Sequence, residues 1–391
     1  MPAMAQVTFY GRANVDVSSY QANGAVTAAE NIQSRMRVAD SGSRFGFRVN
    51  EDLGGGMRAF VTCETGINID NGGANGQGVG VDATFVANPI NASTNFFCSR
   101  QGHVGVGTAL GEVRLGRQNI WWTQGEINQT GANFLSADAL GAMYAPSSGL
   151  SAAPASRTSN VVLLHAGAGL GAFAGSQAYF VVDTQEGIAA SATPLPNKGN
   201  IMGVKVNYSA GQIVAMLDYA KVKNSVNDRA AATNFDASGT KVGLGYKYAA
   251  DSLVSVIYWD LSRTYTLAAS HTATPTNVNN LGAAAIGSRS QTGLGINVQH
   301  SLGAIDLYAQ YGQMASAKNS AGATIGDSGI TGTMLGARYK LSKRSSLTGT
   351  YVSLKNGVAN ATNLSGGSYA SGNAGLGSDP RVFAFGVMHN F

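Results

Sequence analysis

The sequence predicts a transmembrane antiparallel β-barrel of sixteen strands. Apolar side chains alternate with polar or small ones along many segments of about ten residues, yet no apolar run reaches the ~18 residues of a membrane helix. Charged residues make up only 12% of the 391 residues, and 52 residues are glycine. An average soluble domain has about 25% charged residues. A soluble all-β protein remains the alternative on composition alone.

The clearest alternation lies in residues 43–70, which predict two strands joined by a tight turn. In the first strand Phe45 and Phe47 share one face, whereas Arg44 and Arg48 share the other, because side chains two apart point the same way. Two acids and three glycines between the strands have the composition of a chain reversal. One face of this hairpin is therefore apolar and the other is charged.

Other early segments extend the pattern. Residues 6–17 predict a first strand, and residues 98–107 and 112–117 predict a further hairpin. Residues 18–42 and 71–95 are long polar segments between the predicted strands. Residues 119–156 form the longest interruption among the early strands and contain Trp121, Trp122 and Tyr144. Structureless loops beyond ~15 residues are uncommon unless they are functional, so this segment is a candidate for a functional role.

After residue 156 the pattern becomes regular, with short turns alternating with long polar loops. The remaining strands are predicted at residues 161–165, 173–181, 201–208, 213–221, 241–248, 253–261, 291–300, 305–312, 333–340, 346–354 and 382–391. The even total, the strand length and the turn pattern are typical of a bacterial outer-membrane barrel. Closure removes sheet edges that lipid would leave unpaired. A β-propeller would repeat four-stranded units of ~40 residues, and the sequence has no such repeat.

No motif for catalysis or metal binding is present. The five histidines are scattered singly, and neither G-x-S-x-G nor H-E-x-x-H occurs. The sequence therefore predicts no enzyme and no cofactor, although a Ser-His-acid group on a barrel rim remains an alternative. The net charge of +5 comes from basic residues spread along strands. This argues against nucleic-acid binding, which uses concentrated patches, and favours a positive lumen that attracts anions.

The two cysteines and the N-terminus leave alternatives open. Cys63 and Cys98 fall on strands predicted to be adjacent, so a disulfide is geometrically possible; two free thiols facing lipid or a neighbouring subunit are equally compatible with the pattern. Residues 3–5 read Ala-Met-Ala before Gln6, the pattern of a signal-peptidase site. Residues 1–5 are therefore predicted to be a residual signal-peptide tail, with a flexible terminus as the alternative, and residues 6–391 form the barrel.

Three parts of the sequence, residues 43–70, residues 100–118 and the C-terminal strand, resemble the trimeric general porins of Gram-negative outer membranes. Residues 43–56 match SR-x-G-x-(K/R)-x-x-EDLG-x-G, and residues 64–68 match E-x-G-x-N. The C-terminal strand, ending in Phe391, resembles the recognition signal of outer-membrane barrels. The resemblance covers essentially the whole chain. It implies short periplasmic turns, long extracellular loops and a third loop, residues 119–156, folded into the lumen as a constriction. It also implies a homotrimer in outer-membrane lipid, with an apolar interface built partly from the early strands.

The same resemblance implies a ladder of basic residues facing that loop. Arg44, Arg100 and Arg157 occupy the matching positions at the starts of the second, fourth and sixth strands. Arg100 shares parity with the apolar Val104, so an inward direction requires a bulge or a rim position. Further basic residues with lumen parity are Arg12, Arg58, Arg114, Lys205, Lys247 and Arg338. Glu126 and Asp138 are the acids of the third loop, which lacks the usual P-E-F-G-G of the family.

These features predict a passive diffusion channel for small hydrophilic solutes. Three arginines against at most two acids predict a positively charged constriction, which favours inorganic anions. Opposite charges on the two walls would also set up a transverse field that orients dipolar solutes and favours ions of one sign. One alternative is a substrate-specific channel for an anionic solute such as an organic acid or phosphate. Another alternative is a plugged barrel with an adhesive or structural role.

Overall fold

Sixteen antiparallel strands close into one barrel in the computed structural model, which confirms the predicted fold class. The structure describes residues 5–67, 69–70, 97–120, 127, 139–144, 157–182, 200–228, 233–267, 287–364 and 375–391. The first strand pairs with the last, from Arg12 opposite Asn390 to Asn23 opposite Asp379. Gly11 and Phe391 also exchange backbone hydrogen bonds of 3.0 and 3.2 Å. The ring of backbone pairing is therefore continuous.

The strands follow one another around the ring in chain order. They are β1 (Gln6–Asn23), β2 in two segments (Ile32–Asp40 and Arg44–Gly54), β3 (Met57–Gly66), β4 (Gln101–Gly107), β5 (Gly111–Asn119), β6 (Arg157–Ala166), β7 (Gln177–Val182), β8 (Asn200–Ala210), β9 (Ile213–Asp228), β10 (Thr233–Ala249), β11 (Ser252–Leu267), β12 (Gly287–Leu302), β13 (Ile305–Met314), β14 (Ile330–Lys340), β15 (Ser345–Asn356) and β16 (Asp379–Asn390). A two-residue strand, Lys318–Asn319, lies between β13 and β14.

Several strands extend beyond their predicted ends. No strand was predicted in the polar residues 18–42, yet β1 continues to Asn23 and pairs with Ile32–Asp40. Likewise β10 and β11 are 17 and 16 residues long. Backbone pairing continues past the apolar band because ladder hydrogen bonds do not need apolar side chains. In the opposite direction, β7 begins only at Gln177, after a 3₁₀ turn over Ala168–Phe173.

The barrel exposes its apolar side chains and buries its charges. Phe9, Leu244 and Phe385 are 60–65% exposed on the outer face, whereas Lys205 and Lys241 on the inner face have no exposed surface. This is the reverse of a soluble protein and is the arrangement that a lipid environment requires. It confirms the prediction that the apolar faces of the strands point outward. No helix among the described residues is long and apolar enough to span a membrane.

Candidate pore constriction

A bulge in β2 turns Arg44 into the lumen. Before the bulge Met36 and Val38 face outward, and after it Phe45 does, so the parity of the strand changes between Asp40 and Arg44. Asp40 Oδ1 accepts hydrogen bonds from the backbone N–H groups of Gly42 (2.8 Å) and residue 43 (3.0 Å). Gly42 has φ +85°, a conformation that glycine adopts without steric cost. The bulge therefore decides which way Arg44 points.

Arg100 reaches the lumen from irregular chain just before β4. Val104 and Val106 are 51% and 55% exposed, yet Arg100, which shares their parity, is only 5% exposed. Cys98 has φ +57° and forms a disulfide with Cys63 of β3, with Cα atoms 4.6 Å apart. The Arg100 backbone N–H donates to the Glu64 carbonyl at 2.9 Å. The irregular geometry that the parity of Arg100 required is thus present, and the disulfide lies within it.

Four arginines meet around one carboxylate on the inner face of β1–β6, here called the arginine wall. Arg12 lies opposite Arg44 in the register. Arg100 Nε donates to Glu64 Oε1 at 2.8 Å, and Arg44 Nε lies 3.7 Å from Glu64 Oε2. Arg157, the first residue of β6, lies within electrostatic range of Arg44, Arg100 and Glu64. Among the described residues, the cluster carries four positive charges around the negative charge of Glu64.

The other predicted basic residues lie elsewhere on the inner face. Arg58 and Arg114 both form ion pairs with Glu112, close to the short turns. Arg338 pairs with Asp306, which also lies 2.8 Å from Lys340 Nζ; the charge of Arg338 nevertheless reaches Arg12. Lys205 points inward but has no exposed surface. Lys247 is exposed near a short turn, with its Nζ 2.9 Å from Ser209 Oγ.

Segments of the predicted third loop lie against the opposite half of the ring, the inner face of β10–β15, here called the covered wall. The Ile127 carbonyl accepts hydrogen bonds from Ser255 Oγ (2.8 Å) and Asn297 Nδ2 (3.4 Å). A single-turn helix, α1 (Ala139–Met143), is fully buried and contacts β13, β14 and β15. A side chain at Gly312 would clash with α1, since its Cβ would lie 2.5 Å from Leu140 Cδ2. Glycine is thus what lets α1 approach this wall.

Some residues of this arrangement were not predicted from the sequence. Glu64 had lumen parity on β3 but was not assigned to the cluster, although it is the carboxylate that contacts both Arg44 and Arg100. Its place in the E-x-G-x-N match was the available signal. The predicted loop acids Glu126 and Asp138 lie outside the described residues. Residues 1–4 of the predicted signal-peptide tail do so as well.

A family model described as Gram-negative porin matches residues 1–360 of the chain. The chain belongs to the Gram-negative porin family. This agrees with the closed barrel and its outward apolar face, and it makes the protein an integral component of the bacterial outer membrane. The family resemblance found in residues 43–70, which lie inside the matched range, is therefore confirmed.

Individual relatives share 31% or less of their aligned residues with this chain. The major outer membrane protein P.IB of Neisseria meningitidis serogroup B is 31% identical over 129 residues, which is 32% of this porin and 32% of that protein. The alignment thus spans about a third of that curated relative. An anion-selective porin from Comamonas acidovorans shares the fold with a TM-score of 0.72 and 21% identity, covering 99% of this chain and 100% of that one. OmpT of Vibrio cholerae has a TM-score of 0.61 at 13% identity, covering 99% of each chain.

Proposed function

We propose that this porin is a passive diffusion channel for small hydrophilic solutes, with a preference for anions. The observation that carries the proposal is the clustering of Arg12, Arg44, Arg100 and Arg157 inside a closed barrel, where Arg44 and Arg100 contact Glu64 and the other two lie within electrostatic range of it. Selectivity then comes from pore width and the field of the lining rather than from any reaction. The structural neighbour from Comamonas, which is named as anion-selective, supports the same direction.

The arrangement of the two walls explains how such a preference arises. The arginine wall supplies fixed positive charge, and the covered wall carries the inward segments of the third loop. Arg44 keeps 25% of its side chain exposed, so part of this side chain is in contact with solvent. Charge on low-dielectric walls raises the local concentration of counter-ions. An anion entering between the walls is therefore favoured over a cation of equal size. We propose that residues 119–156 form the constriction and that Glu126 and Asp138 contribute charge to it.

Liposome swelling tests this proposal directly. Purified protein is reconstituted, and influx is compared for a sugar acid, the parent sugar and the amino sugar, which are close in size. We expect the acid to enter fastest and the amino sugar slowest. Equal rates for all three solutes contradict anion preference, and absence of swelling with every solute contradicts the channel function itself. Saturation of the rate by one anionic solute alone would instead favour a substrate-specific channel.

We also propose that the protein forms a homotrimer through the outer face of its early strands. Phe9, Phe45, Phe47 and Phe97 form a chain of aromatic contacts with ring centroids 6.0–6.4 Å apart. Phe383 and Phe385 form a second aromatic pair on β16, which pairs with β1. Such a surface has the aromatic content of a subunit interface. One structure of OmpT is described as a trimer form. Light scattering of the detergent-extracted protein tests this, and a monomeric mass contradicts it.

A further inference from the structure

Inward side chains form a row across four neighbouring strands on one side of the barrel. Asp218 of β9 lies opposite Lys205 of β8 and Lys241 of β10, and Lys241 lies opposite Trp259 of β11. All four residues have no exposed surface. Lys241 Nζ is 3.3 Å from Asp218 Oδ2. Burying two lysines and a carboxylate is costly unless they are paired. Because none of the four side chains is exposed, other groups of the protein pack directly on this row.

Tyr144, the residue that follows α1, is part of that cover. Its ring centroid is 4.8 Å from Lys241 Nζ, a cation–π distance. Its ring also meets the Trp259 indole edge to face, with centroids 5.0 Å apart and planes at 88°, a favourable aromatic geometry. Tyr144 is itself fully buried, and its backbone N–H donates to the Leu140 carbonyl of α1 at 3.3 Å. The ring is thus tied to the helix on one side and to the wall on the other.

We propose that Lys241 and Trp259 form a docking site for Tyr144, which holds α1 against the covered wall and thereby sets the width of the pore. The inference rests on the proposed channel function. Ser255 and Asn297 hold Ile127 by neutral hydrogen bonds, and the glycines of the wall admit α1 by shape. The Tyr144 ring adds two contacts at the end of α1, one with the buried cation of Lys241 and one with the indole of Trp259. Lys241 and Trp259 are positioning residues, because they act on the solute through the loop.

The docking site predicts how the channel fluctuates. When the Tyr144 ring no longer packs on Lys241, α1 leaves the wall more often, and the pore passes more frequently between wide and narrow states. In the full-length protein we expect Tyr144→Leu and Lys241→Met each to raise the rate of voltage-induced closure at least twofold and to increase open-channel current noise. Lys241→Arg, which keeps a cation over the ring, should restore the wild-type rate. Lys247→Met is the matched control, a lysine of the same strand that is exposed.

Single-channel recording of these variants, with a double-mutant cycle, tests the inference. Because Tyr144→Leu already removes the contact with Lys241, the double variant Tyr144→Leu/Lys241→Met should close no faster than Tyr144→Leu alone. The proposed docking site is overturned if the effects of the two substitutions on the closure rate are additive. It is also overturned if closure and noise in both single variants equal those of the Lys247→Met control. If Lys241→Met does not fold, as judged by the migration of heated and unheated samples, Tyr144→Leu carries the test, because it changes no barrel strand. A wild-type protein without conductance contradicts the proposed function instead.

Discussion

The two halves of the barrel have similar outer faces but different inner faces. On the arginine wall, β2 is interrupted after Asp40, β5 shifts register between Gly116 and Gln118, and β4 follows irregular chain at Cys98. On the covered wall the register shifts near the turn between β10 and β11, at residues 247–249, and then runs without a shift from β11 through β15. The irregular half carries the clustered arginines, and the regular half carries the glycines that contact α1.

This difference shows how one fold builds two kinds of surface. Strict alternation along a strand fixes which residues face lipid, so it also fixes which residues face the lumen. A bulge changes locally which residues face the lumen. On the arginine wall, a bulge precedes Arg44 and irregular chain precedes Arg100. A packed wall needs the opposite property, because α1 fits only where neighbouring strands stay in register and glycines align.

The largest expected effect comes from breaking the disulfide that lies beside Arg100. Cys63 and Cys98 are 35 residues apart in the chain, and closing a loop of that length stabilises a folded protein by up to about 4 kcal/mol. We expect Cys63→Ser/Cys98→Ser to lower the free energy of unfolding and to loosen Arg100. Urea unfolding in detergent measures this, with reduced wild-type protein for comparison. A double serine variant as stable as oxidised wild type contradicts the expectation.

The next prediction tests whether the outer faces of the two walls are equivalent. Leu115 of β5 and Leu244 of β10 are 50% and 61% exposed on the outer surface. Replacing either by Arg should cost about 2–4 kcal/mol near the bilayer midplane. Unfolding in lipid vesicles measures both variants, and Leu→Phe at each site is the control. Arginine variants as stable as the phenylalanine controls would show that these faces do not contact lipid.

A smaller effect is expected from filling the covered wall. A Cβ at Gly312 would lie 2.5 Å from Leu140 Cδ2 and 3.0 Å from Met143 Sδ. Gly312→Val should therefore destabilise the barrel by about 1–3 kcal/mol and change single-channel conductance by displacing α1. Gly349→Val is the control, since a Cβ there would meet only the Phe385 ring, at 3.4 Å. Identical conductance in both variants would separate α1 from the conducting path.

The smallest effect concerns the balance of charge on the arginine wall. Removing the charge of Glu64 should favour anions by about 1 kcal/mol at the high effective dielectric of a water-filled lumen, which is roughly a fivefold rise in the anion-to-cation permeability ratio. Glu64→Gln is compared with Glu112→Gln, whose carboxylate pairs with Arg58 and Arg114 near the short turns. A ratio that falls in Glu64→Gln contradicts the role given to the cluster.

Much of the fold was predictable because lipid imposes a simple rule on the outer face. Phe45, Leu244 and Phe385 follow the alternation and all face outward. The true ends of the strands were not predictable in the same way. Residues 18–23 and Ile32–Asp40 pair through their backbones although their side chains are largely polar, and ladder hydrogen bonds leave no periodic signal in such a stretch.

The site was predictable in part. The positions of Arg44, Arg100 and Arg157 at strand starts were visible, and the parity of Arg100 already required an irregular chain. The contact of Glu64 with two arginines depends on the register of β3 against its neighbours, which alternation alone does not give. The approach of Tyr144 to Lys241 joins residues almost 100 positions apart across the lumen. No local pattern specifies such a contact.

The most direct test of the account is the reversal potential of single channels in a KCl gradient, recorded for wild type and for Arg44→Gln/Arg100→Gln/Arg157→Gln. The account predicts a wild-type potential whose sign indicates chloride preference, and a clear shift toward potassium in the triple variant. The sign of potassium preference in wild type, or the same permeability ratio in both proteins, would contradict the claim that the arginine wall selects the ion.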